Sequence, residues 1–312
     1  MRNARSTLAL SLLALVASPS VLAGGKATCP PVEKFAPGLV SLDNRWEWRL
    51  SFTPLRTQLY FAATQGWWPG TREKATILTA QRRWDGSWST PEPASFSGVH
   101  SDFDPFVSPD GLTLYFSSMR PVKGREKADM DLWMVRRTWS SSGFGWGEPV
   151  HLGAAVNAEG YDELYSSVDL WGNLYFARVK APIPTEDVEI WRSKRRWDGS
   201  FGAPEKLGSG VNTPERWEYN PEISPDGRTL LFARLDQPGD GLEDAGYGFG
   251  DLYVSRLRNG SFTAAKNLGP CVNTALDEFH PTVLWERDLL YFAKDIGAPS
   301  DFYRTPLRLP PP

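Results

Sequence analysis

The chain has 312 residues, 41% of them hydrophobic, with a formal net charge of −3 and a pI near 5.8. A chain without a basic field is a poor candidate for binding phosphate backbones, so nucleic acid is excluded as a general partner. Aromatic residues make up 13%, including 14 Trp, beside 28 Gly and 26 Pro, which favours many short strands joined by turns.

In chain order, Arg2 and Arg5 precede an apolar run at 7–17, and Val21 and Ala23 occupy the small-residue positions of a cleavage site. Residues 1–23 therefore read as an export signal peptide, too short in its apolar run to span a bilayer. Residues 24–312 are expected to form one domain, periplasmic or secreted, with no stable membrane insertion. Two cysteines in an oxidising compartment, Cys29 and Cys271, predict one disulfide and make a poor metal site.

A repeat then governs the rest. An aromatic strand core recurs as Tyr60-Phe61, Tyr115-Phe116, Tyr175-Phe176, Leu231-Phe232 and Tyr291-Phe292, at spacings of 55, 60, 56 and 60 residues. Each core follows a turn, clearest as Ser108-Pro109-Asp110-Gly111 and Ser224-Pro225-Asp226-Gly227, where Pro presets φ and Gly accepts a positive φ. A third strand comes next, for example Asp251-Leu252-Tyr253-Val254. A second turn such as Trp84-Asp85-Gly86-Ser87 leads to a Pro- and charge-bearing fourth strand fit for an exposed edge. Four strands in a meander make a propeller blade. The prediction is an all-β, five-bladed β-propeller of four-stranded antiparallel blades. Six blades is the alternative that length alone would suggest, but there is no sixth aromatic core. The fifth copy stops after its third strand, so an N-terminal strand within 32–40 is expected to complete it and close the ring, pinned by Cys29–Cys271.

With these Ser-Pro-Asp-Gly turns and the segment Asp251-Leu252-Tyr253-Val254-Ser255-Arg256, the chain resembles the TolB-type periplasmic propeller repeats, which are related in architecture to WD-repeat propellers. The resemblance implies a binding scaffold more strongly than any one function, because the same repeats also occur in enzymes.

Functional residues are expected where the crossovers into the inner strands and the second-to-third-strand loops share one face. A carboxylate recurs there once per copy: Glu47, Asp102, Glu163, Glu218 and Glu278, with a one-residue slip in the third. Such regularity points to a structural ring that caps crossovers. Two residues later the side chains differ, as Arg49, Asp104, Tyr165, Asn220 and His280, which suits recognition of an asymmetric ligand. Arg120, Arg178, Arg234 and Lys294 follow the aromatic cores and are placed to pair with the carboxylates or, for Arg178 and Arg234 above all, to meet an anionic ligand. Loops at 67–72, 120–128, 181–187 and 236–250 gather on the same face. Among them Trp67-Trp68 suits sugar stacking, while Asp240, Glu243 and Asp244 lack the ordered spacing of a calcium loop.

The expectation is a monomeric, non-catalytic propeller of the cell envelope that engages a protein or a glycan through this face, without cofactor or metal. The alternative is a carbohydrate-active enzyme, a glycoside hydrolase or lyase, using Asp104, Glu163 and Glu218.

Overall fold

Five small antiparallel sheets stand around one axis, as seen in a computed structural model that describes residues 28–66, 74–140, 143–181, 188–214, 216–235, 246–295 and 299–311. Residues 1–23, expected to be an export signal, and Trp67, Trp68, Asp240, Glu243 and Asp244 lie outside the described residues. The inner strands are Trp46–Phe52, Asp102–Val107, Tyr161–Val168, Trp217–Ile223 and Asp277–Leu284. Each pairs with a second strand (Gln58–Thr64, Thr113–Ser118, Leu174–Lys180, Thr229–Leu235 and Leu289–Asp295), and that with a third (Thr76–Gln81, Asp131–Ser140, Glu189–Ser193, Gly250–Arg258 and Asp301–Pro306). Outer strands are only two residues long, as in Glu92–Pro93, Val150–His151, Glu205–Lys206 and Lys266–Asn267. Short, charged edges of this kind resist pairing with a second chain.

The aromatic repeat is the core. Phe61, Phe116, Phe176, Phe232 and Phe292 are all fully buried at equivalent positions of the five second strands. The slip in the third copy sits in its first turn. Val168 pairs with Leu174, one residue closer in sequence than Val107 to Leu114 or Ile223 to Leu230.

Neighbouring blades are stitched by their crossovers. Asn157, Asn212 and Asn273 each accept the backbone N–H and donate to the C=O of one residue in the preceding blade's third strand, Leu132, Ile190 and Leu252. Both groups lie in a water-poor interface, so an unmet N–H there is costly. Asn212→Ala should therefore lower stability by about 1–3 kcal/mol, read as a shift in the urea midpoint at constant slope. A change within a few tenths would show that the clamp adds nothing.

Ring closure comes from the chain's own start. Glu33–Lys34 pairs with the third strand of the fifth blade, Glu33 opposite Arg304 and Lys34 opposite Tyr303, and so supplies its outer strand. Arg304–Glu33 at 2.9 Å and Lys34–Asp301 at 2.8 Å reinforce the seam. Cys29 and Cys271 form a disulfide that ties this strand to the crossover entering the fifth blade. The bond is consistent with an oxidising, extracytoplasmic compartment. Among the described residues no helix is long and apolar enough to cross a membrane.

Candidate functional site

The ring carboxylates are fully buried, and each meets a cation of its own blade. Arg178 Nε lies 2.8 Å from Glu163, Arg234 Nε 2.8 Å from Glu218, and Lys294 Nζ 3.0 Å from Glu278. The reason is register: Glu163, Glu218 and Glu278 stand directly opposite Arg178, Arg234 and Lys294 on the paired second strands. In the second blade Ser118 takes that cross-strand place, and Arg120 reaches back from two residues on to Asp102 at 3.0 Å. In the first blade the place is Ala63, and Arg45, just before the inner strand, serves Glu47 at 2.9 Å.

The same carboxylates accept crossover N–H groups from Leu42, Ala158, Thr213 and Thr274, while Arg45, Arg178 and Arg234 also donate to the carbonyls of Val40, Val156 and Val211. Burial still pushes Glu163 up to about 8 and Glu218 up to about 7 against the pull of their arginines. Contacts at these five carboxylates thus either join the inner and second strands of one blade or hold a crossover in place.

The five residues two positions on behave differently. Arg49, Asp104, Tyr165, Asn220 and His280 all have positive φ, between 27° and 59°. Each sits at a break in the pairing register between its inner and second strand. A left-handed backbone costs a non-glycine residue about 1–3 kcal/mol, and five such residues on one ring cluster where strained positions usually serve a purpose. In three blades proline follows, as Asp104-Pro105, Asn220-Pro221 and His280-Pro281, at a bulge where no ladder N–H is required. The bulge breaks the strict alternation on which the sequence reading relied. The side chains of Arg49, Asp104, Asn220 and His280 turn into the axis of the ring instead of lining its mouth beside the carboxylates.

There they meet. Arg49 crosses the channel from the first blade to Glu222 of the fourth, Nη2 to Oε2 2.6 Å, with Nη1 3.3 Å from the Pro221 carbonyl and the guanidinium 5.0 Å over the Phe106 ring. The His280 backbone N–H donates to Asn220 Oδ1 at 2.9 Å, and His280 Nε2 lies 3.6 Å from Asp104 Oδ1. Tyr165 packs edge-on against the His280 ring at 5.4 Å. Burial pushes Asp104 and Glu222 up to about 7, opposed by Arg49, and holds His280 well below its ordinary value.

Four polar atoms of this cluster have no hydrogen-bond partner among the described residues: Arg49 Nε, Asp104 Oδ1, Asn220 Nδ2 and His280 Nδ1. Two are obligate donors, one is a carboxyl oxygen, and the imidazole nitrogen takes either role. Above them the half-buried rings of Trp46, Tyr165, Trp217 and Tyr219 stand at the crossover-side mouth of the channel. Asp277 sits among them, raised to about 7 by burial and the neighbouring Asp295 and Glu278, and hydrogen-bonded to the Tyr219 hydroxyl.

Glu222 and Asp277 escaped the sequence reading. Glu222 does not recur between blades. Of its four equivalents at the bulge, Ser51, Ser167 and Thr282 are small hydroxyls that bond the backbone of the adjoining blade, and the fourth is Phe106. The X-Pro pairs after Asp104, Asn220 and His280 were the available signal. Among the described residues no group of three or more His, Cys, Asp or Glu is placed to hold a metal ion.

Comparison with known proteins places the fold. No protein-family model matches the chain, and no curated protein matches it. Solved structures do. A glycoside hydrolase superposes with a TM-score of 0.55 at 9% identity, over 91% of this chain and 96% of its own. An endo-arabinase from Bacteroides thetaiotaomicron gives 0.55 at 15%, over 87% and 98%. An arabinanase from Bacillus subtilis gives 0.51 at 10%, over 83% and 93%. At such identities the shared property is the fold. The chain is a five-bladed β-propeller of the kind seen in glycoside hydrolases, and the TolB-type resemblance is upheld only as far as the propeller itself.

Proposed function

We propose that this is a carbohydrate-directed propeller of the cell envelope, which engages a glycan at the crossover-side mouth of its channel. The observation that carries the reading is the set of unpartnered donors and acceptors on Arg49, Asp104, Asn220 and His280, buried beneath the rings of Trp46, Tyr165, Trp217 and Tyr219. Sugar hydroxyls both donate and accept, so they can satisfy such a mixed set, while the C–H faces of a pyranose or furanose stack on aromatic rings. Because the five side chains differ, the site distinguishes the ends and faces of its ligand, as a symmetric ring of carboxylates could not. Binding without turnover is the reading we favour, since one oxygen of Glu163 and both oxygens of Glu218 are engaged by Arg178, Arg234 and crossover N–H groups.

The second reading, a glycoside hydrolase or lyase, is supported by the shared fold and by Asp104, a carboxyl near neutrality beside the axis. A general acid needs such a value, but hydrolysis also needs a second carboxyl in the opposite role. Asp277 and Glu222 are nearer to that description than Glu163 or Glu218.

A glycan array probed with the intact protein, followed by product analysis on every polysaccharide that binds, tests both readings. Under the binding reading, Asp104→Asn and Tyr165→Ala each weaken retention of the selected glycan by about tenfold or more, the loss expected of a buried polar contact or a stacked ring, and no reducing ends or unsaturated products accumulate. Turnover abolished by Asp104→Asn would establish the enzyme instead. Failure of every glycan to bind would end the carbohydrate proposal.

A further inference from the structure

The opposite end of the ring carries a second, unrelated feature. In a meander blade the first and third connections emerge on the face away from the crossovers, so the turns after the inner and the third strands share one plane. Trp84 and Trp197 stand in the third-strand turns, each 99% exposed, and Trp139 stands in the longer third-strand hairpin of the second blade, opposite Phe144 and 72% exposed. They hold the same place. Leu59 pairs with Ala80, Leu114 with Val135 and Leu174 with Ser193, and the tryptophan lies four residues beyond each third-strand partner. Equivalent positions on successive blades of a ring sit at one end of the axis, so the three tryptophans share that end on the first, second and third blades. The neighbouring inner turns of the same blades add Leu55, Leu112, Leu170 and Trp171, all exposed.

Charge accompanies this apolar row. Arg82, Arg83, Arg136, Arg196, Arg228 and Arg258 are exposed in the same turns or beside them, and none takes part in an ion pair among the described residues. The aspartates of these turns bond neighbouring serines and keep their negative charge, with Arg83 and Arg196 acting on Asp85 and Asp198, so they offset part but not all of this arginine. Asp85 and Asp198 accept the N–H and hydroxyl of Ser87 and Ser200, and Asp110 and Asp226 accept the hydroxyls of Ser108 and Ser224. A chain of net charge −3 thus presents an excess of unpaired arginine on one end.

We propose that this turn face docks the propeller on an anionic lipid bilayer, with Trp84, Trp139 and Trp197 seated at headgroup depth and the arginines on lipid phosphates. A spread of exposed indoles and arginines over several blades suits a broad surface, whereas a soluble polymer chain calls for a groove. Indole rings favour the bilayer interface, and each nearby Arg adds electrostatic attraction to acidic headgroups that salt screens. Attachment is peripheral, and it directs the crossover-side mouth away from the membrane.

Co-sedimentation of the intact protein with phosphatidylcholine vesicles, with and without phosphatidylglycerol, tests this. The expected result is binding only when phosphatidylglycerol is present, weakening as salt is raised, with a blue shift of tryptophan emission. Trp84→Ser/Trp139→Ser/Trp197→Ser combined should lower vesicle affinity by at least about tenfold and remove the blue shift. Arg83→Glu/Arg196→Glu should also lower it and flatten the salt dependence. Val99→Ser, exposed on the crossover side, should change neither. The mutated indoles have little packing to lose, so an unchanged melting curve shows that the triple variant is folded. Absence of binding, binding insensitive to the tryptophan variant, or equal binding to soluble dextran sulfate would overturn the proposal. Glycan binding at the other mouth is read separately and is unaffected by any of these outcomes.

Discussion

Arg49→Met is expected to destabilise the protein by about 3–5 kcal/mol at pH 8, the loss typical of breaking a buried ion pair from one side. Arg49 is wholly buried and is the cation that faces both Glu222 and Asp104, which are themselves buried. Methionine keeps most of the volume over the Phe106 ring, so the loss reports charge and not a cavity. The pH dependence separates the two.

Asp104 and Glu222 have folded values near 7, above their unfolded ones, so the folded state binds more protons across the interval from about 4 to 7. Their contribution to stability is therefore greatest at low pH and is lost as pH rises through about 7. At pH 5 both carboxyls are largely neutral in the native protein, and removing Arg49 leaves little charge stranded. The difference between wild type and variant should accordingly shrink to less than half at pH 5. Urea unfolding at the two pH values measures this. Equal losses at both would mean that the guanidinium acts through packing alone.

The second large effect concerns the seam. Reducing Cys29–Cys271, or replacing both with serine, should lower stability by up to about 5 kcal/mol, because the bond closes a loop with a sequence separation of 242 in the unfolded chain. The entropic figure is an upper bound, since denatured chains are not ideal coils. The defect should be local before it is global. The closing strand Glu33–Lys34 has only two residues in the ladder, with help from Phe35 N–H on the Phe302 carbonyl. Hydrogen exchange after reduction should therefore rise first in 28–36 and 301–306, while the second and third blades stay protected. Uniform deprotection of all five blades would show that the bond supports the whole ring and not its closure.

Much of the architecture was open to reading before any coordinates. Tyr60-Phe61 and its four counterparts announced five sheets because a blade must bury its second strand on both faces, and large aromatics do this at each repeat. The truncated fifth copy required a strand from elsewhere, and the N-terminal segment was the available one. Glu163 with Arg178 and Glu218 with Arg234 were one of two readings open at that point, pairing or an anionic ligand, and the cross-strand register shows the pairing.

The residues at the axis mark the boundary of that legibility. Arg49, Asp104, Tyr165, Asn220 and His280 were recognised as a varied set by counting two positions along a strand, but counting assumes regular pleating. The register break at each of them reverses which way the backbone turns, and the partner of Arg49 proved to be Glu222, 173 residues away and outside the repeat. A repeat specifies local geometry once per blade. What lies across the channel depends on how five blades close on one another, and no pattern within a single blade contains that distance. The grouping of Trp84, Trp139 and Trp197 has the same origin: each was visible as a tryptophan in the sequence, but only the ring sets them at one end.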